Sequence, residues 1–398
     1  MLDELRKLYS EIHVKILTLI ILMVTIVVPI VSIRSFNAIE SADSSNIIKG
    51  TEAVRIIKDR YEDYKGELSI DTLNRVLNYY QSEPSEDLAY VDSSIRYPGI
   101  ISILMDAYSS IIPGEGIHLN DLKNADDFYS RNTVQIMGFL NHSNDTYEPW
   151  EKDVILEKAE SIETPFNIDF SRQWVFAYKL LSVIFIMIFL SAIIIGSRIF
   201  SYEKEKNMDL ILATMSNKQL INIGKNKVLA LLTFLTIKYA ISITVLSIIF
   251  FSTTGLSAWS SQIQIEYFTS IYNLTLGSAY LLFIFMGWIS TIAIGVLVAA
   301  VDAFTQKSYS TLVIGFIIVF SPLIITRLNA IPTFVKRFFQ IQPVNGLLVE
   351  KSISSFQIYN VILFNILTTT AIIVNAILLL IVGMLIVPRL FSIRIKNR

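Results

Sequence analysis

Six long apolar runs divide the chain, at 14–33, 174–195, 228–251, 275–300, 311–326 and 361–387. A helix of about 20 apolar residues spans the hydrocarbon core of a bilayer, so each run predicts a transmembrane helix. The stretch between the first two runs, 34–173, alternates apolar and polar positions at helical rather than strand spacing. Its first predicted helix, 52–65, carries Val54, Ile57 and Tyr61 on one face, and its second, 69–80, carries Leu73, Val76, Leu77 and Tyr80 behind Asp71 near the N-cap. Further helices are predicted at 100–108, from Leu119 through Phe128 and Ile136 to Leu140, and at 150–161. Residues 1–13 place Leu2, Leu5, Leu8, Tyr9 and Ile12 at helical spacing, which predicts an amphipathic helix lying along the inner leaflet. The pattern as a whole predicts an all-α membrane protein. It has six transmembrane helices and a large, mostly helical extracellular domain between the first two.

Composition agrees with the pattern: 53% of residues are hydrophobic and the mean hydropathy is +0.54. The first run is longer than the usual signal-peptide core of about 7–15 residues and lacks a small-residue cleavage site, so it reads as a retained anchor. Lys and Arg in short connectors set the orientation. Segment 196–227 holds Arg198, Lys204, Lys206, Lys218, Lys225 and Lys227, and the tail 388–398 holds Arg389, Arg394, Lys396 and Arg398 without an acid. The connector 252–274 holds no base, while 327–360 runs against the trend with Arg327, Lys336, Arg337 and Lys351. The balance predicts a plasma-membrane protein with cytoplasmic 1–13, 196–227, 301–310 and 388–398, both termini inside, and 34–173, 252–274 and 327–360 outside. The fifth run is the shortest, with Pro322 and Arg327 limiting its outer end.

Charge is divided unevenly. Segment 34–173 carries 25 acids and 13 bases, and the rest of the chain carries 9 acids and 20 bases. The basic groups flank membrane runs, which gives no support to nucleic-acid binding. With no cysteine, the outer domain has no disulfide and relies on its own core. The three histidines, His13, His118 and His142, are far apart and no metal-ligand spacing occurs.

No catalytic constellation is visible. Nothing fits G-x-x-x-x-G-K-[ST]; the nearest fragment, Gly224-Lys225, has Gln219 where the first glycine belongs. If ATP drives this protein, another chain binds it. The positive signal is 198–227, a charged segment between two apolar runs. Met208, Ile211, Leu212 and Met215 fall on one helical face, with Glu203, Glu205 and Asp209 beside them. So short a helix packs on something, either the bundle or a partner groove; a solvated connector is the plainer alternative. Few polar residues lie inside the runs. Lys238 reads as a side chain reaching back to the cytoplasmic face, and Lys179 as one reaching outward. Asn365 and Asn375 read as helix-to-helix hydrogen-bonding groups.

The run from Phe200 through Glu203, Glu205 and Met208–Ser216 to Gly224, Lys225 and Lys227 resembles the loop of ABC-2 type transporter permeases. That loop has an acidic E-x-E opening, a G-T-x-x-x-L-L-like centre and a G-K entry into the next helix. Here Asn207-Met208 stands where Gly-Thr is common. Asn124–Asn132 resembles the D-A-x-x-F-Y-x-x-R segment of large six-span permeases common in Gram-positive bacteria. Pro165-Phe166 is similar to their P-F element, and Trp259–Gln264 with Asn273–Thr275 to their second outer loop. The resemblance covers most of the chain. It implies an export permease that pairs with a second permease, as a homodimer or heterodimer, in membrane lipid. It also implies separate ABC ATPase subunits docked on a coupling helix near 203–216, and no cofactor in this chain. Two other readings stand beside it. A receptor with a ligand-binding outer domain would usually carry a cytoplasmic output domain, and the longest inner segment is about 32 residues. A lipid-modifying enzyme would need convergent carboxylates, histidines or a nucleophile.

Overall fold

The computed structural model describes all residues except 42–45, 110–116, 143–146, 329, 362–363 and 398. Arg398 of the basic tail and the side chain of Asp209 lie outside the described residues. The chain opens with α1 (Leu2–Ser10) and α2 (Ile12–Arg34). A head follows, built from the hairpin β1 (Asn37–Ile39) and β2 (Ile47–Lys49), α3 (Thr51–Tyr61), β3 (Gly66–Glu67), α4 (Ile70–Ser82), α5 (Glu86–Arg96), α6 (Ile100–Tyr108), α7 (Phe128–His142), α8 (Pro149–Glu160) and β4 (Asn167–Ile168). The remainder is α9 (Arg172–Gly196), α10 (Tyr202–Glu205), α11 (Asp209–Ala213), α12 (Asn217–Thr254), α13 (Leu276–Thr305), α14 (Ser308–Ile325), α15 (Thr333–Gln340), α16 (Val349–Ile353), the hairpin β5 (Ile358–Val361) and β6 (Phe364–Leu367), and α17 (Thr368–Lys396).

Among the described residues, α2, α9, α12, α13, α14 and α17 are long and apolar enough to cross a membrane. The chain therefore has the architecture of a multi-pass membrane protein, mostly helical with little sheet. Helix α13 is the centre of the bundle and packs on α9, α12, α14 and α17. Its start is fixed by a capping box in which Thr275 and Ser278 satisfy each other's backbone N–H. Ser216 and Gln219 do the same for α12. With 38 residues, α12 is roughly 57 Å long at about 1.5 Å per residue, nearly twice a bilayer core of about 30 Å. Its first turns pack on the last turns of α17, where Gly224 meets Pro388, on the side that carries both termini.

A second apolar cluster joins α7 and α8 to Ile271, Tyr272, Phe356 and Ile358, while the rest of the head and the bundle share one continuous apolar core. The periodic positions Val54, Tyr61, Leu73, Val76, Leu77 and Tyr80 are all buried in it. The cap of α4 is Ser69, whose hydroxyl accepts from the Thr72 N–H, rather than Asp71. Strand β3 pairs antiparallel with β4, which ties the head's first helix to its exit into α9. The head also rests on the connector between α12 and α13. There the Phe128 ring lies 5.4 Å from Phe268, Tyr129 lies 5.0 Å from Phe166, and the Asn167 N–H donates to Gln262 Oε1 at 2.8 Å. Three separate sequence signals, Phe128-Tyr129, Pro165-Phe166 and Gln262–Gln264, meet at this one joint. Arg337 of α15 adds a bidentate pair to Glu151 of α8, at 2.5 and 2.9 Å.

Several boundaries differ from the sequence reading. The first head helix ends at Tyr61, not residue 65. The helix expected from Leu119 is a single short turn, Leu119–Asp121, and α7 begins only at Phe128. The run 361–387 splits, because Ile358–Val361 and Phe364–Leu367 pair as β5 and β6 and the helix starts at Thr368. Asn365 is therefore a strand residue. It faces Asn360 across the hairpin and accepts from that amide at 3.3 Å, which satisfies a group that a membrane helix would leave in hydrocarbon.

Candidate functional site

The segment from Ser197 to Ser216 sits where α9, α12, α13 and α17 end on the termini side. It is not one helix. Helix α10 stops at Glu205, Asn207 turns left-handed with φ +56°, and α11 restarts at Asp209. Asn accepts that conformation more readily than most residues, because its short polar side chain tolerates it. All four residues of the predicted face follow this break; α11 ends at Ala213, before Met215, and the face is divided between solvent and the bundle. Leu210, Ile211 and Met208 are 78%, 61% and 42% exposed, whereas Leu212 is 7% exposed and Met215 packs against the core. The outward apolar set is thus Met208, Leu210 and Ile211. Leu212 and Met215 hold the segment to the bundle, and Lys396 of α17 donates to the Ala213 carbonyl at 3.0 Å.

The acidic opening also faces inward. Glu203 is buried, and its Oε1 accepts from Lys227 Nζ at 2.5 Å, with Lys7 Nζ at 3.6 Å. Lys227, likewise buried, donates to the Ile199 carbonyl at 2.7 Å and lies 3.7 Å from Glu4. Burial pushes the Glu4 carboxyl up, but Lys227 and Lys7 outweigh it and hold it below its ordinary value. Burial lowers Lys7 less than Glu4 and Glu203 raise it, so its ammonium is held on. Glu205 pairs with Arg198 at 3.2 Å and accepts from the Ser308 hydroxyl at the start of α14. These two acids are engaged within the chain. They link α1, α10, α12 and α14 instead of offering free carboxylates.

A second anchor was not visible in the sequence. Asp302, buried near the end of α13, accepts from the Phe200 and Ser201 N–H groups at 2.6 and 3.0 Å and from the Thr311 hydroxyl at 3.1 Å. It caps from another helix the turn that leads into α10. Its signal was a lone acid in an otherwise apolar stretch. Gly224 serves packing: a Cβ there would lie 2.8 Å from the Pro388 Cα, so α12 and α17 cross at backbone contact.

The remaining polar positions lie elsewhere. Lys238 does not reach the bundle end; it points inward and donates to Ser191 Oγ of α9 at 2.7 Å. Leu231, Phe234, Leu235 and Ser242 share its buried face, so no lipid-side route is open to its stem. Lys179 remains exposed, 3.9 Å from Glu350. Asn375 binds the connector after α15, donating to the Ile341 carbonyl at 3.1 Å, and not a neighbouring span. Among the described residues no group of three or more His, Cys, Asp or Glu is placed to hold a metal ion. No family model, curated protein or solved structure matches this chain.

Proposed function

We propose that this protein is the permease subunit of an ABC-2 type export system, moving its substrate out of the cell with ATP hydrolysed by separate subunits. The termini side then faces the cytoplasm and the head lies outside. The observation that carries the reading is the outward triad Met208, Leu210 and Ile211, presented on a segment anchored beneath by buried Glu203, Lys227 and Asp302. An exposed apolar set suits a partner groove, and a few buried anchors carry most of the binding energy at such interfaces. The anchors give a push on α11 a route into α12 and α13. Lacking a phosphate-binding loop, the chain supplies no ATP site of its own. A second permease completes the translocation path in the membrane.

The test is co-purification. Leu210→Asp and Ile211→Asp are expected to lose a Walker-A-bearing ATPase from detergent extracts, with the variant permease still folded and at normal abundance. Wild-type recovery of the ATPase with both variants would make this segment a solvated connector and end the coupling proposal. The purified chain alone is expected to hydrolyse no ATP.

A further inference from the structure

A cavity of about 450 Å³ lies where the head meets the bundle. Small-molecule sites typically measure roughly 300–1,000 Å³. Arg60 and Tyr61 reach it from α3, Tyr90 from α5, Asp106 from α6, Arg172 from the first turn of α9 and Glu266 from the connector between α12 and α13. Ile57 and Ile95 contribute to an aliphatic wall.

The chemistry of this lining is unusual in one respect. It carries two guanidinium groups and two carboxylates, so its formal charge is balanced, yet the charges are poorly compensated by one another. Arg172 Nη1 stays 4.0 Å from Glu266 Oε2, beyond hydrogen-bond length. Burial lowers the Arg60 guanidinium, whose Nη2 donates to the Ile39 carbonyl at 2.6 Å, and burial raises the carboxyls of Glu266 and Asp106 against the weaker opposing pull of Arg172. Asp106 stands at the mouth with its outer side in solvent, while Glu266 lies deeper and accepts from the Ser171 hydroxyl. Charges of both signs therefore lack full compensation in the same cavity. A ligand of one sign would relieve one pair and burden the other. A ligand with both signs and no net charge relieves both.

We propose that this cavity binds a small zwitterion carrying a primary ammonium and an anionic carboxylate or phosphate. The ammonium is held by Asp106 and Glu266, and the anion by Arg60 and Arg172. Tyr61 and Tyr90 flank it, and the aliphatic wall accommodates its apolar part. Such a molecule has two sources, a free short peptide or the ethanolamine headgroup of a phospholipid. The site is independent of how the bundle is driven.

Calorimetry on the full-length chain in detergent tests the assignment with three probes: trialanine, glycerophosphoethanolamine, and trialanine with both ends blocked. One of the two zwitterions is expected to bind at millimolar concentration or below, and the blocked peptide is not. The tighter zwitterion identifies the source. Arg60→Gln and Asp106→Asn are each expected to weaken binding about tenfold or more, the loss of one charge-assisted hydrogen bond. Both line the outer part of the cavity, and an unchanged melting temperature certifies their folding. If Arg60→Gln melts early, Asp106→Asn at the open mouth decides. Failure of both zwitterions to bind, equal binding of the blocked peptide, or indifference to Asp106→Asn would overturn the site.

Discussion

Lys227 and Glu203, 24 positions apart, form a buried ion pair of 2.5 Å at the mouth of the bundle, with both side chains almost wholly removed from solvent. Removing one partner leaves an uncompensated buried charge, which costs about 3–5 kcal/mol, whereas replacing both by apolar groups is often close to neutral. Glu203→Leu and Lys227→Met are each expected to lower the melting temperature in detergent. The double variant Glu203→Leu/Lys227→Met is expected to cost clearly less than their sum. Additive losses in this double-mutant cycle would show that the pair is not a coupled unit.

Two glycines separate packing from backbone effects. At Gly224 an added methyl meets the Pro388 backbone at 2.8 Å, and at Gly138, inside α7, it meets nothing within 4 Å. Gly224→Ala is expected to destabilise by about 1–3 kcal/mol, the usual cost of overpacking. Gly138→Ala is expected to stabilise by roughly 0.5–1 kcal/mol, because alanine loses less entropy in a helix interior. Thermal unfolding of both variants beside wild type checks the pair, and equal shifts of one sign would contradict the crossing geometry.

The spans were legible because length and apolarity alone define them. The amphipathic faces of α3 and α4 were legible because local periodicity tracks burial, as at Leu73, Val76 and Leu77. Hydropathy does not distinguish an apolar strand from an apolar helix, so Val361 and Phe364–Leu367 merged with the last span. The direction of Glu203 was hidden for another reason. Its partners Lys227 and Lys7, and the Glu4 carboxylate that shares them, come from distant stretches, and no local spacing reports a tertiary ion network. The same holds for Asp302, whose backbone partners lie 101 and 102 residues away. The division of 203–216 into two helices turned on the backbone of one residue, Asn207.

Glu266 gives the head joint a pH signature. Burial raises its carboxyl above the ordinary 4.5, so the folded protein holds a proton that the unfolded chain has released. Where the folded state binds more protons, stability falls as pH rises. This contribution is therefore fully present below about pH 4.5 and is lost as pH climbs through the raised folded value. Glu266→Gln keeps a neutral group of similar shape. It is expected to flatten this component of the profile and to raise the melting temperature most at neutral pH. Parallel melting-temperature profiles from pH 4.5 to 8 for the two proteins would show that Glu266 does not carry the effect.

Asp302 controls how firmly the outward segment is held. Its Oδ2 accepts both the Phe200 and Ser201 N–H groups, and its Oδ1 accepts the Thr311 hydroxyl, so one side chain joins α13, α14 and the turn before α10. Asp302→Ala strands two buried N–H donors, each worth about 1–3 kcal/mol when unsatisfied. Local opening of the turn then becomes easier. Amide hydrogen exchange in a peptide covering 199–205 is expected to accelerate by at least tenfold. Asp302→Asn keeps one carbonyl oxygen able to accept both N–H groups and is expected to fall between wild type and alanine. Exchange in the α7 peptide, in the head, is expected to stay unchanged in both variants, which separates release of the turn from general unfolding. In the transport reading, Asp302→Ala then keeps the ATPase bound through Met208, Leu210 and Ile211 but passes less of its movement to α13. Unchanged exchange at 199–205 in the alanine variant would remove Asp302 as the anchor, whatever the transport assay returned.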